Sequence, residues 1–134
     1  MPTSDSALYL DFSALVKLVI DEPESAALQE FVGDWLIRMS CILARVEVVR
    51  AVRPHGGRAV AAAEELLTEL DLIALDEEVL DRAATIDPAG LRSLDAVHLA
   101  AASILRDEGF ELVTYDRRMT AGARELGMSV VAPA

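Results

Sequence analysis

The chain is short of cysteine, lysine and aromatic residues, and each shortage closes off a class of protein. Cys41 is alone, so there is no disulfide framework and no zinc site built on thiolates; among Ile42, Leu43 and Ala44 it reads as inert core. No apolar run reaches the roughly 18 residues that span a bilayer, and the first residues lack a basic stretch followed by an apolar one. A cytoplasmic protein with no membrane segment is therefore expected. Positive charge is also scarce: 12 Lys and Arg stand against 23 Asp and Glu, for a net charge of -11. That balance argues against a broad basic face for nucleic acid. Lys17 is the single lysine, and the remaining positive residues are Arg, the side chain suited to forked contact with phosphate.

Against these absences stands a chain that is 53% hydrophobic but only 4% aromatic, so its core must be built from Leu, Val, Ile and Ala, as suits helices packed on a sheet. At this size a chain buries roughly two-thirds of its unfolded surface in one core. With no repeat, linker or low-complexity stretch, one domain over 1–134 is expected.

Short apolar runs at Leu8–Leu10, Trp35–Met39, Leu72–Leu75, Glu111–Thr114 and Ser129–Val131 read as strands. Helical periodicity fills the gaps. It covers Ser13–Ile20, Glu24–Val32, a helix capped by Ser40 and running through Val52, Arg58–Leu70, Glu77–Ile86 capped by Asp76, a helix from Ser93 to about Glu108, and Arg117–Leu126 closed by Gly127. Strands alternating with helices of this length predict right-handed βαβ units, hence an α/β fold with a parallel sheet of about five strands and helices on both faces.

Four carboxylates interrupt the apolar pattern: Asp11 after Leu8-Tyr9-Leu10, Glu47 between Val46 and Val48, Asp95 between Leu94 and Ala96, and Asp116 after Val113-Thr114-Tyr115. A buried ionised carboxylate costs several kcal/mol unless paired or bound to metal, so four of them call for a shared cation or a set of partners. Asp11 and Asp116 directly follow strands, where ligands of parallel sheets bind. Glu47, about two turns into its helix, and Asp95, in a first turn, reach the same edge if their helix N-termini point there. Hard oxygen donors suit Mg²⁺ or Mn²⁺, which activate water and stabilise the leaving oxygen of an in-line phosphoryl displacement. Two such ions would bring the charge from -11 to about -7. Arg45, Arg50, Arg53 and Arg58 lie around Glu47, and Arg117 and Arg118 follow Asp116.

Blander readings stand beside this one. Asp11, Asp95 and Asp116 each fit equally well as a helix cap or a partner of the helix dipole. Glu47 with Arg50 three residues on fits a surface ion pair. His98, on the face of Asp95 and among apolar neighbours, is expected to be a satisfied core histidine rather than a catalytic one, and His55 a loop residue.

The segments Leu10-Asp11-Phe12-Ser13-Ala14-Leu15-Val16-Lys17, Arg45-Val46-Glu47-Val48-Val49-Arg50, Leu91 through Ala100 with Ser93-Leu94-Asp95-Ala96-Val97-His98 at their centre, and Thr114-Tyr115-Asp116-Arg117-Arg118 resemble the signature segments of PIN-domain ribonucleases. Among these they are most similar to the VapC toxins of bacterial toxin-antitoxin pairs. The resemblance runs in order over nearly the whole chain and holds at all four acids. It implies a three-layer α/β/α sandwich in which Asp11, Glu47, Asp95 and Asp116 bind one or two Mg²⁺ or Mn²⁺ ions and support endonucleolytic RNA cleavage by metal-activated water. By the same resemblance Ser13 and Thr114 orient carboxylates or waters, and Arg92 braces the acidic cluster. It further implies a homodimer inhibited by a cognate antitoxin whose tail lies along the active-site groove and places an Arg against the carboxylates. Two other functions stay open: a PIN nuclease for RNA processing without an antitoxin, and a non-catalytic acidic-pocket module. A receiver domain would need a lysine after a late strand, but the one lysine is early. A haloacid-dehalogenase-like phosphatase would need a second Asp where Ser13 stands.

Overall fold

In the computed structural model, residues 6–88, 90–105 and 109–134 are described. They form β1 (Ala7–Leu10), α1 (Phe12–Val19), α2 (Ser25–Gly33), β2 (Ile37–Cys41), α3 (Ala44–Val52), a 3₁₀ turn (Arg53–His55), α4 (Gly57–Thr68), β3 (Asp71–Ile73), α5 (Glu77–Thr85), α6 (Ser93–Ser103), β4 (Phe110–Val113), α7 (Arg117–Glu125) and β5 (Val130–Val131). The strands make one parallel sheet in the order β3-β2-β1-β4-β5.

Alternation along β1 builds both halves of the core. All four of its residues are buried. Leu8 and Leu10 face a cluster with Leu15 of α1, Leu28 and Val32 of α2, Val48 and Val52 of α3, and Leu67 of α4. Ala7 and Tyr9 face the opposite cluster, with Val79 of α5, Leu99 of α6, and Met119 and Ala123 of α7. Period-two alternation thus assigns α1 to α4 to one face and α5 to α7 to the other, giving the α/β/α sandwich.

Register then sets the edge of the sheet. Leu10 pairs with Val113, and the Asp11 N–H continues the ladder to Val113 O at 3.2 Å, so Thr114 comes to lie beside Asp11. On the other side Tyr9 pairs with Met39, which puts Ser40 beside Leu10.

The second strand lies further along than the apolar run Trp35–Met39 implies. Trp35 closes the turn after α2, its N–H donating to Val32 O, and its ring packs 5.9 Å from Phe31, so it serves the helix rather than the sheet. Ser40 consequently sits inside β2 and caps nothing; its buried hydroxyl donates to Leu10 O at 2.7 Å. Helix α3 starts at Ala44, which places Glu47 in the first turn instead of two turns in. Ser93 opens α6 without capping it, since the cap position is Arg92 and no side chain bonds there. That helix ends at Ser103, and the expected end at Glu108 lies outside the described residues. Asp76 does cap α5, accepting from the Val79 N–H at 3.0 Å. Gly127, at φ 78°, ends α7 as the Met128 N–H returns to Ala123 O, a left-handed step that favours glycine.

Candidate active site

All four acids sit at helix N-termini. Asp11 is the N-cap of α1 and Asp116 of α7, while Glu47 and Asp95 occupy the first turns of α3 and α6. In a parallel sheet the helix after each strand starts at the strand's carboxyl end, so α1, α3 and α7 bring three of the acids to one edge. Helix α6 brings the fourth: His98, one turn after Asp95, places its Nε2 2.7 Å from Glu47 Oε1. Negative charge at a helix N-terminus gains about 0.3–1 kcal/mol from the aligned peptide dipoles, which helps this edge tolerate four like charges. Capping and cation binding are therefore compatible roles for the same carboxylates.

Asp11 is the anchor, only 2% exposed. Its Oδ1 accepts from Ser13 Oγ at 2.6 Å and the Ala14 N–H at 3.0 Å, and its Oδ2 accepts from Thr114 Oγ1 at 2.6 Å. Both hydroxyls are themselves fixed, because Ser13 Oγ accepts from the Tyr115 N–H and Thr114 Oγ1 from the Asp116 N–H. Burial still dominates and raises the Asp11 pKa, against the pull of these donors and of His98. With two donors on Oδ1 and one on Oδ2, the remaining acceptor position belongs to Oδ2.

Asp95 is half-buried. Its pKa is raised first by burial, then by the negative charge of Asp116, with Glu47 adding to the rise and His98 and Arg92 opposing it. The structure thus brings both Glu47 and Asp116 within electrostatic reach of Asp95, with exposed Arg92 near enough to be felt. Asp116 Oδ1 accepts from the Met119 N–H at 2.9 Å as it caps α7.

Glu47 does not pair with Arg50, as its helical spacing allows. Its partner is His98, which is 1% exposed and has both ring nitrogens engaged, Nε2 with Glu47 and Nδ1 with the Tyr9 hydroxyl at 2.8 Å. Cys41 Sγ lies further off, 3.7 Å from the same Nδ1. Burial disfavours a charged ring, but Cys41 and Glu47 outweigh it and hold the His98 pKa up at about 10. Sequence reading placed His98 in the core and overlooked its link to Glu47; the available signal was its position three residues after Asp95.

The positive groups divide into two sets. Lys17 is occupied, 2.9 Å from Glu24 and 3.5 Å from Glu22, with its ammonium 4.9 Å from the centre of the Tyr115 ring. Among the described arginines only Arg82 pairs with a carboxylate, so Arg45, Arg50, Arg92, Arg117 and Arg118 are exposed without an acidic partner.

Among the described residues no three of His, Cys, Asp and Glu are closed tightly enough to hold a metal ion. The donor chemistry nevertheless fits a hard divalent cation: the carboxylates share one edge, Asp95 feels the charge of both Asp116 and Glu47, and the buried Asp11 keeps an acceptor position on Oδ2. A cavity of about 480 Å³ between α5 and α6, lined by Leu80, Ile86, Leu91 and Val97 among others, contains none of the four acids. Glu47, Asp95 and Asp116 are partly exposed along the sheet edge, while Asp11 lies beneath it at 2% exposure. No helix among the described residues is long and apolar enough to cross a membrane.

The chain is similar to several known proteins. The PIN domain family model matches residues 8–125. The chain is 47% identical over 128 residues to ribonuclease VapC46 of Mycobacterium tuberculosis, covering 96% of this chain and 98% of that one. It is 42% identical over 131 residues to ribonuclease VapC47 of the same species, covering 94% and 96%. Among solved structures, the Mycobacterium tuberculosis VapC20 toxin, described as cleaving the sarcin-ricin loop, superposes with a TM-score of 0.73 at 18% identity, covering 94% of this chain and 99% of that one. A chain of a toxin-antitoxin complex from Klebsiella pneumoniae gives 0.70 at 20% identity, covering 95% and 98%.

Proposed function

The chain belongs to the VapC ribonucleases of the PIN-domain family, and from that premise we propose that it is the toxin of a toxin-antitoxin pair, an endoribonuclease using Mg²⁺ or Mn²⁺ held by Asp11, Glu47, Asp95 and Asp116. Residues 1–134 act as one nuclease domain, in a homodimer. The observation that carries the reading is the placement of four carboxylates at separate helix N-termini along one sheet edge, Asp95 raised by burial and then by its acidic neighbours and Asp11 buried among three donors.

When bound, the divalent ion supplies a Lewis acid that activates water and offsets negative charge on the phosphodiester as its P–O bond breaks. The protein's own residues prepare that step. Ser13 and Thr114 hold the Asp11 carboxylate in one orientation from both oxygens. Asp95 and Asp116 repel each other until a cation offsets their charge, which makes the site selective for positive ligands. Unpaired Arg45, Arg92, Arg117 and Arg118 around this edge give the RNA backbone its counter-charge despite the net -11. Arg92 also lowers the electrostatic strain on Asp95.

For the antitoxin, the same edge offers acids for a basic tail and apolar rims: Phe12, Val46 and Leu94, each next in sequence to one of the acids, are exposed. The similar chain from Klebsiella pneumoniae, solved in a toxin-antitoxin complex, supports a partner of this kind. The test is RNA cleavage by the purified protein. Cleavage that EDTA abolishes and Mg²⁺ or Mn²⁺ restores is expected, with Asp95→Asn inactive; undiminished cleavage by that variant would remove the assigned site. Expression should arrest growth, and co-expression of the antitoxin should relieve it; no arrest favours an RNA-processing nuclease.

A further inference from the structure

Helix α6 is buried along most of its length by Ala96, Leu99, Ala100, Ala101 and Ala102, and an apolar side chain at position 98 would complete that face. The chain has a histidine there, 1% exposed, with a hydrogen-bond partner at each ring nitrogen. Burying an imidazole is unfavourable unless both nitrogens are satisfied, and two elements outside α6 satisfy them: Tyr9 of β1 and Glu47 of α3. The Tyr9 and His98 rings meet edge to face, 78° apart with centroids 5.9 Å apart, so the imidazole cannot turn without breaking both hydrogen bonds. An ionised carboxylate only accepts, so the nitrogen facing Glu47 carries the hydrogen whether the ring is neutral or charged.

We propose that His98 is a positioning residue for Glu47: clamped by the Tyr9 hydroxyl, its Nε2–H fixes the Glu47 carboxylate at the acidic edge and thereby sets the affinity of the site for a divalent cation. The proposal rests on the reading of Glu47 as a ligand. Its physical basis is rotamer freedom: a glutamate in the first turn of a helix has three side-chain torsions, and a single 2.7 Å bond from a buried, immobile donor removes most of that freedom before the cation arrives. The bond also lies where little water competes, since the Glu47 side chain is 11% exposed. Partners of this kind behind a metal ligand typically contribute about 10–100-fold in metal affinity.

The experiment is a Mn²⁺ titration of the full chain, read by the electron paramagnetic resonance of free Mn²⁺, for wild type, Glu47→Gln, His98→Leu, His98→Gln, Tyr9→Phe and the Glu47→Gln/His98→Leu double variant. Expected are a weakening of about 10–100-fold for His98→Leu, substantial recovery in His98→Gln, whose amide can still donate to Glu47, and a smaller loss for Tyr9→Phe. The double variant should bind no more weakly than Glu47→Gln alone, because His98 acts through Glu47. Losses that multiply in the double variant, or wild-type affinity in His98→Leu, overturn the positioning role while leaving Glu47 a ligand. Unchanged affinity in Glu47→Gln overturns the ligand reading and the proposal together. If His98→Leu fails to fold by circular dichroism, the Glu47→Gln/Tyr9→Phe cycle decides by the same rule.

Discussion

Replacing Asp11 by Asn separates the cost of the buried carboxylate from its use. Removing the ionised oxygen gives up charge-assisted bonds from Ser13, Thr114 and Ala14, each worth about 1.5–3 kcal/mol. It also removes a buried charge whose desolvation costs several kcal/mol. These opposing terms are of similar size, and the raised pKa of Asp11 shows that burial outweighs the donors. In chelator at pH 7 the variant should therefore lie within about 1.5 kcal/mol of wild type, far from the roughly 3–5 kcal/mol lost when a buried ion pair is broken. The sign with pH follows. A folded pKa above the unfolded one contributes stability that is complete below the unfolded value, near pH 4, and is lost as pH rises through the folded pKa. Stability of wild type relative to Asp11→Asn should thus fall as pH increases from about 4, and taking the difference cancels the acids the two proteins share. Adding cation reverses the order. At 100 times its dissociation constant the ion stabilises wild type by about 2.7 kcal/mol, or roughly 8–16 °C in Tm for a chain of this size, and the variant by much less. Thermal melts in EDTA and in MnCl₂ between pH 4 and 8 measure all three effects. A variant more than about 3 kcal/mol less stable in EDTA, or one that cation stabilises as much as wild type, would refute the reasoning.

Ser13→Ala and Thr114→Val each remove one donor from Asp11; each should cost about 1–3 kcal/mol in urea unfolding and move the acid limb of the pH-rate profile upward, since the donors hold the carboxyl down. Asp76→Ala should lose about 1 kcal/mol of stability as α5 loses its cap and leave cleavage intact, whereas Asp116→Ala, an equivalent cap loss at α7, should lose cleavage as well. Replacing exposed Arg117 and Arg118 with Ala should weaken single-stranded RNA binding to the Asp11→Asn variant and reduce the salt slope by about 0.7 per lost phosphate contact, measured by fluorescence anisotropy. An unchanged slope would remove these residues from the RNA path.

The order of elements was legible because alternation and helical periodicity are local signals. Each strand of the sheet was found within two residues at either end, and Asp76 and Gly127 marked their helix ends by cap chemistry that needs no distant partner. The largest displacement, at β2, arose where a distant contact overrode the local pattern. Trp35 is apolar enough to extend the strand but packs on Phe31, and Ser40 resembles a cap but bonds to Leu10 in the neighbouring strand.

The four acids stood out in the sequence because charge in apolar flanks is costly wherever the chain folds, and that alone made them a candidate site. What each acid touches was decided by tertiary structure. Parallel register set Thr114 against Asp11, and the return of α6 to the carboxyl edge gave Glu47 a buried histidine instead of the arginine three residues along its own helix. Sequence determines which groups must find partners, because desolvation belongs to the residue. Only the packed fold decides which partners they find, because a hydrogen bond depends on positions that sequence separations of 51 and 103 residues do not reveal.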